Sequence, residues 1–216
     1  MGKEVLVVPR EILFMTSMFQ GVRSTSEGQD FYGLVLNKHS YSQRTPELEK
    51  DSSLKQIIPY IWIVNDSGKV FLYRRGANKT KQESSEVGEK RYLGKYSGGV
   101  GGHIDRITDE GSRDPIFSAM MRELREEVHI GDIELSNYPK PEIIGYINDD
   151  SDDIGKVHFG VLGLLRVSGD VKGRQNEGLL DGRFYSIDEV ESLLVDPKNE
   201  FENWAKLSWP FVKSLL

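Results

Sequence analysis

Three glutamates hold the most suggestive chemistry in the chain. Glu123, Glu126 and Glu127 lie three and four positions apart, so on an α-helix they are neighbours. Like charges at that spacing repel by about 0.3 kcal/mol per pair, and something should compensate them. Arg122 and Arg125 do so only in part, because on a helical wheel both fall behind Glu126. The carboxylates sit between those arginines and an apolar stripe of Phe117, Met121, Leu124 and Val128, at the margin between the helix and the body of the protein. A hard divalent cation is the natural compensator. Mg²⁺ takes oxygen ligands, is held by few carboxylates, and completes its octahedron with water and substrate phosphate. The competing reading is a solvated acidic face, which charge-rich helices commonly present.

The element that must position these carboxylates is a helix from Asp114 to about His129, with Asp114 as N-cap and Pro115 in the first helical position. Upstream, Tyr92–Ser97 reads as a short strand entering the glycine cluster Gly98-Gly99-Val100-Gly101-Gly102-His103. Before that, Ile57–Val64, the turn Asn65-Asp66-Ser67-Gly68 and Lys69–Arg75 read as a β-hairpin, followed by a polar loop over Asn78–Arg91. Glu142–Ile147, Lys156–Val167 and Arg183–Ser186 are expected strands. Ile187–Leu194 is an expected helix, and Asn199–Leu216 a final helix interrupted at Pro210. Residues 1–50 read as an N-terminal extension packing on a main domain of 51–216: a strand at Glu4–Val8, a helical or mixed stretch at Glu11–Gln20 and a polar run at Ser40–Ser53. Strands and helices alternate without segregation, which favours an α/β layered sandwich.

Composition narrows the chemistry further. The 216 residues include no Cys, which excludes disulfides, thiol nucleophiles and thiolate metal sites; carboxylates and 4 histidines remain as metal ligands. A net charge of −6 argues against a broad nucleic-acid-binding surface, while leaving room for a small anionic ligand. The apolar run Val5–Val8 stops at Pro9-Arg10, too short for a signal-peptide core, and Leu6 stands where a myristoylation signal wants Ser or Thr. The expectation is a soluble cytoplasmic protein without a membrane partner, with a homodimer left open.

The run Arg122-Glu123-Leu124-Arg125-Glu126-Glu127-Val128-His129-Ile130 resembles the C-terminal half of the Nudix box, G-x5-E-x7-R-E-U-x-E-E-x-G-U, where U is bulky and apolar. Gly101-Gly102-His103-Ile104-Asp105 resembles the glycine pair that opens the box, and Asp114 stands eight residues before Arg122, where the family has Glu. The likeness covers roughly residues 57 to 195 and is closest to a MutT-like group of predicted phosphoesterases. It implies a Nudix-type α/β/α sandwich with a mixed β-sheet. It also implies that Glu123, Glu126 and Glu127 bind Mg²⁺ or Mn²⁺ with the Gly101 carbonyl, that Gly102 and Asp114 support the site, and that Arg122 fixes the loop-helix geometry through Asp114. The implied reaction is attack of water on phosphorus within the diphosphate of a nucleoside diphosphate derivative or related pyrophosphate. The catalytic set that the resemblance implies is Glu123, Glu126, Glu127 and Arg122; the general base is not fixed, with Glu123 and Glu177 both candidates.

Three departures accompany the resemblance. Gly102 and Asp114 are 12 positions apart where the box has six, the box Glu is Asp, and its final Gly is His129, a residue able to enter the left-handed C-cap region. The lengthened loop, residues 103–113, is expected to act as a lid or substrate selector, with Asp105, Asp109 and Glu110 as solvated loop residues rather than ligands. Elsewhere, His158 reads as a strand histidine with an ordinary hydrogen bond, Asp149, Asp150, Asp152 and Asp153 as a solvated loop, and Arg74-Arg75 as a weak phosphate-steering pair. Tyr60, Trp62, Tyr92 and Tyr96 could pack a core or stack on a base. Two other functions fit the same fold: a nucleotide-sensing or interaction module without turnover, and an isoprenyl-diphosphate isomerase, the latter disfavoured because no cysteine acid is available.

Overall fold

The computed structural model describes residues 3–76, 92–109 and 111–216, so the expected loop over Asn78–Arg91 and the loop residue Glu110 lie outside the described residues. The chain has the expected α/β make-up, a mixed sheet with helices, and divides into two compact units. The first comprises residues 1–60, 101–122 and 143–163, and the second 61–100, 123–142 and 164–216.

In the first unit, β1 (Glu4–Pro9) lies between two antiparallel partners, with Val7 opposite both Ser40 of β3 (Ser40–Gln43) and Gln56 of β4 (Leu54–Asn65). Val5, Leu6, Val7 and Val8 are all fully buried, which is why this strand reads as an unbroken apolar run rather than an alternating one. The strand order continues from β4 through β10 (His158–Val167) and β9 (Glu142–Asn148) to β2 (Gly21–Ser24). Helix α1 (Arg10–Leu13) is a single turn, much shorter than the stretch expected over Glu11–Gln20, and α2 (Phe31–Lys38) follows with Asp30 as its cap. Phe14, Phe19, Phe31, Tyr146 and Phe159 meet at centroid separations of 5.2–6.3 Å, mostly tilted or edge-on, and supply this unit's aromatic core.

In the second unit, the remainder of β4 forms the expected hairpin with β5 (Val70–Arg75), pairing Val64 with Val70. Asn65 Oδ1 accepts from the amides of Ser67 and Lys69, and Gly68 takes the left-handed conformation at φ +70° that completes the turn. On the other side of β5 runs β12 (Leu179–Tyr185), longer than expected and bulged between Leu180 and Arg183. Tyr60 in the first unit and Trp62 in the second are buried, so both are core residues; Trp62 stands 5.8 Å from Trp209, and Tyr96 stacks on Phe201.

Two boundaries differ from expectation for clear physical reasons. Helix α3 (Arg106–Asp109) is a short turn, and α4 (Pro115–Glu127) ends before Val128, where β8 (Val128–Ile130) begins and pairs with β11 (Val171–Gly173). His129 therefore lies opposite Lys172 in an extended ladder instead of capping the helix, and Gly131, at φ +45°, takes the left-handed position. After α5 (Ile187–Val195), α6 (Asn203–Lys213) runs straight through Pro210. The carbonyl deprived of its amide belongs to Lys206, and both Lys206 and Pro210 are exposed, so water can take the place of the missing donor.

Candidate active site

The start of α4 is fixed within the first unit. Asp114 Oδ1 accepts from the amide of Phe117 at 2.9 Å, and Oδ2 accepts from the Tyr32 hydroxyl at 2.6 Å; burial and then this carboxylate push the Tyr32 hydroxyl well above the ordinary phenol range. Asp114 is thus a cap and not the partner of Arg122. That role falls to Asp109, whose Oδ1 and Oδ2 accept from Arg122 Nε at 3.3 Å and Nη2 at 3.1 Å, while Oδ2 also accepts from the amide of Asp105 at 2.8 Å. Arg122 Nη2 further donates to the His103 carbonyl at 2.9 Å. The expected solvated character of Asp105 and Asp109 does not hold: Asp109 is fully buried, and Asp105, 7% exposed, pairs with Lys3 at 2.7 Å. Five of the extra loop residues therefore fall between the arginine's partner and the arginine, not between the glycine pair and the acid. Gly101 is demanded by a close approach, since a Cβ there would come within 1.9 Å of the Pro59 carbonyl oxygen. Gly102 and His103 follow it, partly exposed.

The last turn of α4 belongs to the second unit. Glu123 and Glu127 are 2% and 3% exposed, whereas Glu126 and Arg125 face solvent. Two of the three glutamates are thus not a solvated face. Glu127 acts on Arg75: burial opposes the guanidinium's charge, but Glu202, Tyr73 and Glu127 together hold its pKa above the ordinary value. Arg75 Nε donates to Glu202 Oε1, and Ser97 Oγ donates to Glu202 Oε2 at 2.7 Å, so the half-buried guanidinium is engaged by a buried carboxylate. Arg74 pairs instead with Asp181 at the surface. Among the described residues, no group of three or more His, Asp or Glu side chains gathers at metal-binding distances. The end of the helix is tied down by the next loop: the Arg174 amide donates to the Glu127 carbonyl at 2.7 Å and Arg174 Nε to the Val128 carbonyl at 3.0 Å. Half-buried Glu177 lies three residues further on, in the turn that this anchor fixes.

A second polar assembly, absent from the sequence expectations, lies inside the first unit. Fully buried Lys55 donates to Asp150 Oδ1 at 2.8 Å and to the carbonyls of Gly155 at 2.8 Å and His158 at 3.1 Å. Burial pushes the Lys55 ammonium down to about 8 in spite of Asp150. Burial works to raise Asp150, but the hydrogen bonds from Arg10 and Lys55 outweigh it and hold the carboxyl at about 2. Asp149, 2% exposed, accepts from Gln20 at 2.7 Å, so half of the aspartate cluster expected to be solvated is interior. The sequence signal was the pair Lys55-Gln56 at the head of the apolar run from Ile57, two long polar residues inside what proves to be one buried strand. His158 Nδ1 bonds the Ile154 carbonyl at 2.7 Å, the ordinary bond expected, while its Nε2 faces His103 Nε2 at 3.3 Å. Burial holds His158 below the usual imidazole range.

Comparison with known proteins places this geometry. The chain is 30% identical over 213 residues to Protein YmaB of Bacillus subtilis (strain 168), covering 95% of each sequence. Comparison with family models gave no match. Among solved structures it is similar to Tm1382, described as a candidate Nudix hydrolase, at a TM-score of 0.74 and 24% identity over 99% of this chain and 100% of that one. DR0079 from Deinococcus radiodurans follows at a TM-score of 0.51 and 16% identity, covering 79% and 90% of the two chains. No helix among the described residues is long and apolar enough to cross a membrane. Matched at 30% identity along almost its whole length, the chain belongs to the same family as Protein YmaB, and the fold it shares with Tm1382 over the whole chain is of the Nudix type.

Proposed function

We propose that the protein is a divalent-cation-dependent hydrolase that cleaves the diphosphate linkage of a nucleoside diphosphate derivative or a related pyrophosphate. The observation that carries this reading is the near-complete burial of Glu123 and Glu127, one turn apart on α4. Buried carboxylates at that spacing repel each other and lose hydration, and a hard cation relieves both costs, so the donor set fits Mg²⁺ or Mn²⁺. Glu123, Glu126 and Glu127 are the proposed ligands. When bound, the cation supplies charge neutralisation for the diphosphate and lowers the pKa of water. The chain's own part is to hold these carboxylates. Arg174 pins the Glu127 carbonyl at one end of the turn, and Arg122, clamped by Asp109, fixes the residue immediately before Glu123. In the reaction, the water oxygen bonds to phosphorus, the bridging P–O bond breaks, and a carboxylate accepts the water's proton, with Glu123 and Glu177 as the two candidates.

The test is a panel of nucleoside triphosphates, dinucleoside polyphosphates, sugar nucleotides and NAD-like compounds with Mg²⁺ or Mn²⁺, scored for released phosphate, pyrophosphate or nucleoside monophosphate. Turnover of at least one class is expected, falling by about two orders of magnitude or more in Glu127→Gln. The melting temperature without metal should change little, because the repulsion from Glu123 and the attraction to Arg75 are lost together. A Glu127→Gln variant with full metal-dependent activity would overturn the ligand assignment. Tight nucleotide binding with no turnover across the panel would point instead to a sensing module.

A further inference from the structure

We propose that His103 and His158, together with the Gln56 side-chain amide, form a binding site for a borderline divalent cation of the Zn²⁺ class. This ligand set shares no residue with the glutamates of α4 and lies wholly in the first unit. The two imidazoles face each other through Nε2 at 3.3 Å, with ring centroids 5.4 Å apart and planes crossed at 68°. A backbone carbonyl can only accept, so the 2.7 Å bond between His158 Nδ1 and the Ile154 carbonyl places the His158 proton on Nδ1. The Nε2 lone pair is thereby turned toward His103. The His103 Nε2 proton is drawn chiefly to Gln56 Oε1, at 2.8 Å, and offers His158 only a long contact.

This arrangement is an indifferent hydrogen bond and a good pair of ligands. Zn²⁺–N bonds of about 2.0–2.1 Å subtend a tetrahedral edge of about 3.3–3.4 Å between two nitrogens. The rings already stand at that separation, so a cation replacing the intervening proton, with His103 shifting its own to Nδ1, needs no movement of either backbone. Gln56 Oε1, 2.8 Å from His103 Nε2, supplies an oxygen. The other end of that amide is the second observation: Gln56 is fully buried, and its Nε2 makes no hydrogen bond among the described residues, a donor suited to water or an anion carried in by the cation. Both ligands are also braced from behind, as metal-ligating histidines characteristically are. Ile154 fixes the His158 ring, Lys55 holds the His158 carbonyl at 3.1 Å, and Arg122 holds the His103 carbonyl at 2.9 Å. Imidazole favours Zn²⁺, Co²⁺, Ni²⁺ or Cu²⁺ over Mg²⁺, so the chemistry of this set differs in kind from that of the carboxylates. His103 directly follows Gly102, and a cation here would stiffen the glycine turn and the Arg122 clamp together.

The experiment is a calorimetric Zn²⁺ titration of the full chain in saturating Mg²⁺, paired with NMR of the imidazole rings. One equivalent of Zn²⁺ should bind and shift the rings of His103 and His158 while leaving His39 and His129 unchanged. His103→Gln should weaken Zn²⁺ binding by at least about tenfold, and Glu127→Gln should leave it intact. Absence of binding to the folded wild type, equal perturbation of all the histidines, undiminished affinity in His103→Gln, or loss of binding in Glu127→Gln would each overturn the proposal. If His103→Gln does not fold, the ring shifts of the wild type decide alone. The Glu127→Gln arm separates this site from the proposed hydrolytic one, because either can fail while the other stands.

Discussion

Replacing Asp109 with Asn tests whether this residue, and not Asp114, is the acid that holds Arg122 on α4. Asp109 accepts three bonds, two from the Arg122 guanidinium and one from the Asp105 amide, and its side chain is 1% exposed against 15% for Arg122. Asn keeps the shape but has one acceptor oxygen, so at least one buried donor is abandoned and the arginine loses its counter-charge. Breaking a buried ion pair from one side costs about 3–5 kcal/mol. Arg122 keeps the His103 carbonyl, so the lower end, about 3 kcal/mol, is expected for Asp109→Asn. Asp114→Asn is the matched control. Asn caps helices about as well as Asp, so the loss is the Tyr32 hydroxyl bond alone, about 1 kcal/mol. Urea unfolding of both variants at neutral pH, with the slope checked for constancy, reads the difference. Equal losses, or a larger loss at Asp114, would refute the reassignment.

Lys55→Met should cost about 3 kcal/mol or more, because it strips donors from the Gly155 and His158 carbonyls and a charge partner from Asp150. The pH profile adds a signature: Lys55 titrates at about 8 in the folded chain against 10.5 ordinarily, so the unfolded chain binds more protons between those values. Its contribution to stability rises from pH 8 to 10.5, and denaturant unfolding of Lys55→Met should show that rise flattened. Asp150 works at the other end, its contribution present above pH 3.8 and lost as pH falls toward 2. Gly101→Ala should lose about 2 kcal/mol or more or fail to fold, because its Cβ meets the β4 backbone, whereas Gly111→Ala, with open space around it, should melt within about 2 °C of wild type.

What the sequence could convey follows from the range of the forces involved. The hairpin at residues 65–69, the cap at Asp114 and the glutamate spacing are local patterns, and each is visible within a few residues. Val5–Val8 is legible as a strand, but nothing near it indicates that its partners lie at 40–43 and 54–56. The same limit explains Asp109: strict box spacing points to Asp114, and only the fold brings an acid 13 positions away onto Arg122. Lys55 was hidden because a charged residue at the head of an apolar run ordinarily marks a strand's exposed end. Here three acceptors from the 150–158 segment surround it, and a sequence window around residue 55 contains none of them. His129 was misplaced for the opposite reason, since the box pattern predicts a helix end where a short ladder to Lys172 forms instead.

The position of β1 governs the order in which this protein can assemble. The strand at residues 4–9 is synthesised well before its partners: its ladder with β4 requires residues 54–56, and its bridge from Val5 reaches Asp105. During synthesis at roughly 5–20 residues per second, the apolar segment Val5–Val8 therefore waits several seconds with both edges open. That interval exposes a β-prone, uncharged stretch of the kind that seeds association between nascent chains. Glu4 and Arg10 flank it and act as gatekeepers, and in the finished protein each is drawn into a pair, Glu4 with Arg106 and Arg10 with Asp150. The charges that protect the strand while it waits are those that fasten it once its partners arrive.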